Sequence, residues 1–127
     1  MKIIALGIDL IECSRIEHTW RQHPERFLAR ILTPAERAYC EGKKNPVPHI
    51  AGRFAAKEAI LKVMGTGWRG QIAWTDIEVT NDSAGQPYVV LSGHTREVAH
   101  GLGITQIHLS ITHTQNYAAA SAIGIAE

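Results

Sequence analysis

Between Pro48 and Gly65 the chain holds one uninterrupted helix-forming run, His49 to Met64, in which Ala51, Ala55, Ala56 and Ala59 combine high helix propensity with little bulk. Gly65 supplies the residue that most readily turns left-handed and ends it. This is the central helix, and the rest of the fold has to be arranged around it. On its wheel Glu58 falls within the arc of Ala51, Phe54, Ala55 and Leu61, so the acid is expected to point toward the core.

The flanking segments alternate between the two periodicities. Ile3 to Ile11 is rich in β-formers and reads as a buried strand with Asp9 near its exit. From Ser14 the pattern turns helical and breaks around Pro24. Thr33-Pro34-Ala35-Glu36 is a capping box with proline at the first helical position, so a helix starts at Thr33. Gly42 to Pro48 reads as a loop carrying two lysines, and Gly65 to Gly70 as a glycine-rich loop. Strands follow at Ile77 to Thr80 and Tyr88 to Leu91 around an Asn81 to Pro87 turn. A short helix is expected from Ser92 to Leu102, and Ile107 to Thr112 should pair with Tyr117 to Ile125 across a turn at His113 to Asn116. The order implies an α+β domain spanning 1–127, with helices packed on a mainly antiparallel sheet.

With 127 residues and 14.0 kDa the chain suits one hydrophobic core. The apolar run at the start is interrupted by Asp9 and is far shorter than the roughly 20 residues of a membrane span. No cleavage site follows it, so it is read as mature protein. Thirteen Lys and Arg against twelve Asp and Glu give a formal charge of +1, which argues against a general polyanion or nucleic-acid binder. Cys13 and Cys40 show no metal or disulfide spacing, and free thiols point to the cytoplasm.

Two carboxylates stand out chemically. Asp9 lies in an apolar strand, where a charge needs compensation, although a surface position near the strand end would also accommodate it. Glu58 has Lys62 four residues on, which could be an ordinary helical ion pair. The alternative is a shared divalent ion: two carboxylates plus phosphate oxygens suit Mg²⁺. The glycines of Gly65-Thr66-Gly67 would let backbone N–H groups approach phosphate while Lys62 adds positive charge, although the loop lacks the P-loop pattern. Arg53 and His113 are candidates for further phosphate contacts. His18, His23, His49, His94, His100 and His108 show no spacing that selects zinc.

Three ordered motifs then coincide: Gly7-Ile8-Asp9-Leu10-Ile11-Glu12; Gly52-Arg53-Phe54-Ala55-Ala56-Lys57-Glu58-Ala59 with Lys62 and Gly65-Thr66-Gly67; and Ser110-Ile111-Thr112-His113-Thr114 before the small-residue strand Tyr117 to Ala122. Together they resemble the holo-acyl-carrier-protein synthase family of 4'-phosphopantetheinyl transferases over nearly the whole chain. The resemblance implies that family's α+β fold, a homotrimer with active sites at subunit interfaces, and coenzyme A as donor. It also implies a serine of an acyl carrier protein as acceptor, serving fatty acid biosynthesis. It places Mg²⁺ on Asp9 and Glu58, Lys62 near the pyrophosphate, the 65 to 67 loop in support, and Arg53 and His113 at the nucleotide end. Glu58 is the candidate for helping to remove the serine proton, with Asp9 as the alternative. Leu61 departs from relatives that carry a serine there.

An acyl carrier protein is acidic, and Arg15, Arg26 and Arg30 with Phe27 as an apolar anchor suit its docking; a solvated amphipathic helix is the plainer account of the same residues. Two other functions use the same features. One is a Mg²⁺-dependent phosphohydrolase, which needs no docking face. The other is a nucleotide-binding subunit without activity, which needs neither Glu58 nor Lys62.

Overall fold

The computed structural model describes residues 1–65 and 72–127. Strand β1 (Lys2–Glu12) leads into helices α1 (Cys13–Gln22), α2 (Pro24–Ile31), α3 (Pro34–Glu41) and α4 (Pro46–Met64). A short 3₁₀ turn (Trp74–Asp76) precedes the hairpin β2 (Ile77–Asn81) and β3 (Pro87–Leu91), then α5 (Gly93–Gly101), β4 (Gln106–His113) and β5 (Tyr117–Ala126). The large sheet has the order β1-β5-β4, all antiparallel, and β2 pairs with β3 in a separate two-stranded sheet. This is the expected α+β arrangement.

Helix α4 starts at Pro46, inside the segment expected to be a loop. Its first turn accepts Pro46 and Pro48 because the leading N–H groups of a helix have no internal acceptors to lose. Asn45 precedes it in extended conformation, and Gly65 closes it at φ 72° with its N–H on the Leu61 carbonyl at 2.9 Å. The helix is covered nearly all round. Only a stripe at i, i+4 spacing, Phe54, Glu58 and Lys62, is left incompletely buried along its middle. Glu58 is therefore half-buried rather than turned into the core: on a helix enclosed from several sides, the apolar arc no longer marks the inward direction.

Strand β1 differs from expectation in a related way. Its odd positions Gly7 and Ile11 are buried against α4, but Leu6, Ile8 and Leu10 are each 66% exposed on the opposite face. On β5 the inward positions Ala118, Ala120, Ala122 and Gly124 are small, which lets α4 approach the sheet closely. The approach is tightest at Gly7, where a Cβ would stand 2.0 Å from the Ala59 carbonyl oxygen and 3.1 Å from Lys62 Cβ. Gly7→Ala must push β1 off α4, and a loss of about 2–3 kcal/mol in denaturant unfolding is expected; an unchanged midpoint would contradict this packing.

The capping box at α3 forms as read. Thr33 Oγ1 accepts from the Glu36 N–H at 3.2 Å, and Glu36 Oε1 accepts from the Thr33 N–H at 2.8 Å. Glu36 does more than cap. Fully buried, it receives Lys57 Nζ at 2.7 Å on Oε1 and the Val79 N–H at 2.8 Å on Oε2. Lys57, equally buried, also donates to the carbonyls of Ile31 at 2.6 Å and Trp74 at 3.0 Å. All three ammonium protons thus have acceptors, the condition under which a buried charge is tolerated. Burial pulls the Lys57 pKa down and Glu36 pulls it back.

Candidate active site

Backbone contact at Gly7 sets the first part of the site. It brings β1 against α4 between Ala59 and Lys62, so Asp9, two residues on and on the same face of the strand, comes beside Lys62. Lys62 Nζ donates to the Ile8 carbonyl at 2.7 Å and lies 3.3 Å from Asp9 Oδ1. Lys62 remains about half exposed and Asp9 is partly covered, so this pair adds little to stability and leaves the cation reachable from solvent. Glu58 sits one turn before Lys62 in the same uncovered stripe. Leu61 belongs to the core. Gly65 caps the helix as expected, whereas Thr66 and Gly67 lie outside the described residues.

The chemistry of this donor set fits Mg²⁺. Both groups are hard oxygen donors, and among the described residues no third His, Cys, Asp or Glu joins them. One or two carboxylates, completed by substrate phosphate and water, is the usual protein contribution to a bound Mg²⁺.

A second cluster lies toward the start of α4. Arg53 is 5% exposed, and its Nη2 donates to Asn81 Oδ1 at 2.9 Å. Its guanidinium carbon sits 4.0 Å from the centre of the Tyr39 ring, and Lys43 Nζ is 4.5 Å from that centre. His49 meets Tyr39 edge-on at 6.0 Å and His113 at 5.0 Å. So Arg53 and His113, distant in sequence, do come into one cluster. Among the described residues no carboxylate pairs with Arg53, Lys43, His49 or His113. Arg53 Nε, also buried, lacks a hydrogen-bond partner there. A buried cation without a counter-charge is costly, and an anionic ligand would relieve it.

His49 records the same imbalance. Its pKa is held below the ordinary 6.5 chiefly by burial, then by His113, Lys43 and Arg53. The folded chain thus resists a proton that the unfolded chain accepts, and stability falls as pH drops through the ordinary histidine range. A His49→Phe variant should lose less stability between about pH 7.5 and about pH 5.5 than the unaltered protein. Equal losses in paired denaturant titrations would reject this.

Arg15 on α1 and Arg26 and Arg30 on α2 are exposed, and Arg26 Nη2 lies 3.2 Å from His23 Nδ1. Phe27 is half-buried and packs on the core, so only part of the ring is offered outward. Cys13 and Cys40 are buried free thiols, and burial raises Cys40 to about 11. Among the described residues no helix is long and apolar enough to cross a membrane.

Sequence reasoning missed Gly7 as the contact point, Lys57 as the buried partner of Glu36, and Tyr39, His49 and Asn81 around Arg53. The capping-box glutamate was the available signal for one of these. The spacing of His49, four residues before Arg53 on α4, was another, and nothing local marked the rest.

Residues 5–122 match the family model of the 4'-phosphopantetheinyl transferase superfamily. A holo-[acyl-carrier-protein] synthase of Koribacter versatilis is 48% identical over 121 residues, covering 95% of this chain and 97% of that protein. Among solved structures, the holo-[acyl-carrier-protein] synthase of Helicobacter pylori in complex with coenzyme A superposes with a TM-score of 0.84 at 30% identity, covering 95% of this chain and 100% of that one. The Bacillus anthracis synthase, in complex with CoA (3',5'-ADP), gives a TM-score of 0.81 at 37% identity, with 98% of each chain covered. With matching running nearly end to end and the motif residues gathered on α4 and its neighbours, the chain belongs to the 4'-phosphopantetheinyl transferase superfamily, among its holo-[acyl-carrier-protein] synthases.

Proposed function

We propose that this enzyme moves the 4'-phosphopantetheine group of coenzyme A to a serine of an apo acyl carrier protein, priming the carrier for fatty acid synthesis. The observation that carries the reading is the contact at Gly7, which sets Asp9 against Lys62 on the helix stripe that also holds Glu58. The serine oxygen bonds to the β-phosphorus as the bond from that phosphorus to the bridging oxygen breaks. Adenosine 3',5'-bisphosphate leaves and the serine proton is released. Such a transfer depends on positioning and charge stabilisation more than on covalent participation by the protein.

Asp9 and Glu58 are the residues that would hold Mg²⁺, which when bound supplies Lewis-acid neutralisation of pyrophosphate charge. Lys62, exposed and anchored on the Ile8 carbonyl, adds a second cation there, with Gly65, Thr66 and Gly67 supporting the phosphates. Glu58 helps take the serine proton, directly or through water. Arg53 and His113 receive the nucleotide end: the phosphate monoester of 3',5'-ADP, the ligand of the Bacillus anthracis relative, is the kind of anion attracted by a buried guanidinium that has no carboxylate partner among the described residues. Arg53 precedes Glu58 by five residues, about 7.5 Å along the helix axis, which separates the two phosphate-binding regions.

Arg15, Arg26 and Arg30, with the outer part of Phe27, form the docking face for the acidic carrier. Leu6, Ile8 and Leu10 expose a row of apolar side chains on the sheet face away from α4, and this supports a homotrimer in which each site lies at a subunit interface. Sedimentation as a monomer at micromolar concentration would remove that assembly. The buried, unpaired cysteines suit a cytoplasmic enzyme formed of one domain over 1–127.

Incubation with apo carrier, coenzyme A and Mg²⁺, followed by mass spectrometry of the carrier, tests the transfer. A gain of the phosphopantetheine mass is expected. Cleavage of coenzyme A without carrier modification would indicate a hydrolase, and no change in either would indicate a binding subunit.

A further inference from the structure

Arg53 is held by two groups that carry no charge. Asn81 Oδ1 accepts from Nη2 at 2.9 Å, and the Tyr39 ring lies 4.0 Å from the guanidinium carbon. Asn81 is itself fixed, because its Nδ2 donates to the Gly85 carbonyl at 3.0 Å across the β2–β3 turn. That bond commits the amide nitrogen to the turn and leaves the oxygen for Arg53. The turn is well braced: Asp82 Oδ1 accepts from the Ala84 and Gln86 N–H groups, each at 2.9 Å, and Gly85 takes φ 84°. Tyr39 offers a π face to two cations, Arg53 and Lys43.

The contrast with Lys57 is informative. That buried cation has a buried carboxylate, Glu36, at 2.7 Å. Arg53, buried nearly as deeply, has an amide and a ring, and its Nε is unmatched among the described residues. An aspartate in place of Asn81 would neutralise the cation in the folded protein. The neutral amide fixes the guanidinium without consuming its charge.

We infer that Tyr39 and Asn81 are positioning residues that keep Arg53 oriented and uncompensated, and thereby set the enzyme's preference for a donor ending in a phosphate monoester. The inference rests on the placement of the donor's nucleotide at Arg53 under the proposed function. Neither residue touches the reacting phosphorus. They act through Arg53 alone, so their effect belongs in donor recognition and not in turnover.

The test is steady-state transfer to an apo carrier with coenzyme A and with 3'-dephospho-coenzyme A as alternative donors. For the unaltered enzyme KM should be at least about tenfold lower for coenzyme A, the worth of one charged contact. Asn81→Ala and Tyr39→Leu should raise KM for coenzyme A about tenfold, with kcat and the dephospho donor's KM moving less than about twofold. Tyr39→Phe, which keeps the ring, should restore the preference. Asn81→Asp is the sharpest variant, since it holds Arg53 by a stronger bond yet cancels its charge. It should abolish discrimination, at some cost in thermal stability because the Nδ2 donation to the Gly85 carbonyl is lost.

Equal KM values for both donors in the unaltered enzyme would overturn the placement at Arg53 and this inference with it. Discrimination present in the unaltered enzyme and undiminished in Asn81→Ala, Asn81→Asp and Tyr39→Leu would overturn the inference alone. So would variants that lower kcat for both donors equally, because that pattern marks a general structural role. Saturating rates with the dephospho donor report whether each variant is folded.

Discussion

Lys57→Met should unfold at markedly lower denaturant concentration, with about 3–5 kcal/mol of stability lost. Lys57 and Glu36 are both inaccessible to solvent and 2.7 Å apart, and removing the ammonium leaves a carboxylate buried with only backbone N–H donors. The carbonyls of Ile31 and Trp74 would lose a donor as well. Replacing both charges, as in Lys57→Met with Glu36→Gln, should recover much of the loss, because the larger part of the penalty is the unmatched charge and not the missing attraction. Equilibrium urea unfolding of the three proteins decides it. A single variant within about 1 kcal/mol of the parent would show that the pair carries less than its burial implies.

Glu58→Gln should have the opposite profile: turnover lower by on the order of 100- to 1000-fold and stability within about 1 kcal/mol. The amide is isosteric and half-buried on the open stripe of α4, so packing is preserved. What it loses is negative charge, the property a Mg²⁺ ligand or a proton acceptor needs. Transfer measured at saturating coenzyme A and Mg²⁺, beside a urea titration, separates the two quantities. Undiminished turnover would remove Glu58 from the chemistry. A matched fall in activity and stability would make it a structural residue.

These two neighbours on α4 show where sequence reasoning succeeds and stops. Element types were legible because local chemistry dictates them: the Thr33 box caps α3, Gly65 ends α4, and the strand pairs follow their turns. The motif pointed to Glu58, but its surroundings were misread. A helical wheel assumes one buried side, and α4 is enclosed by β1, β5, β4, α1 and α3. For the same reason Lys57, polar and adjacent, gave no sign of being fully buried. The β1 run, apolar but for Asp9, looked buried on both faces, whereas Leu6, Ile8 and Leu10 face away from α4. Arg53 and His113 were drawn together by family likeness. Of their actual neighbours, Tyr39 and Asn81 come from separate segments, and contacts of that range leave no periodic trace, whereas His49 stands one helical turn before Arg53 on α4.

One carboxylate links all of this. Glu36 on α3 binds Lys57 on α4 and the Val79 N–H on β2, and those three elements also supply Tyr39, Arg53 and Asn81, each within a helical turn or two residues of the tie. The recognition cluster is consequently built rigid. Its ordering entropy is spent when the chain folds and not when the donor arrives, so more of each contact's free energy is retained as affinity.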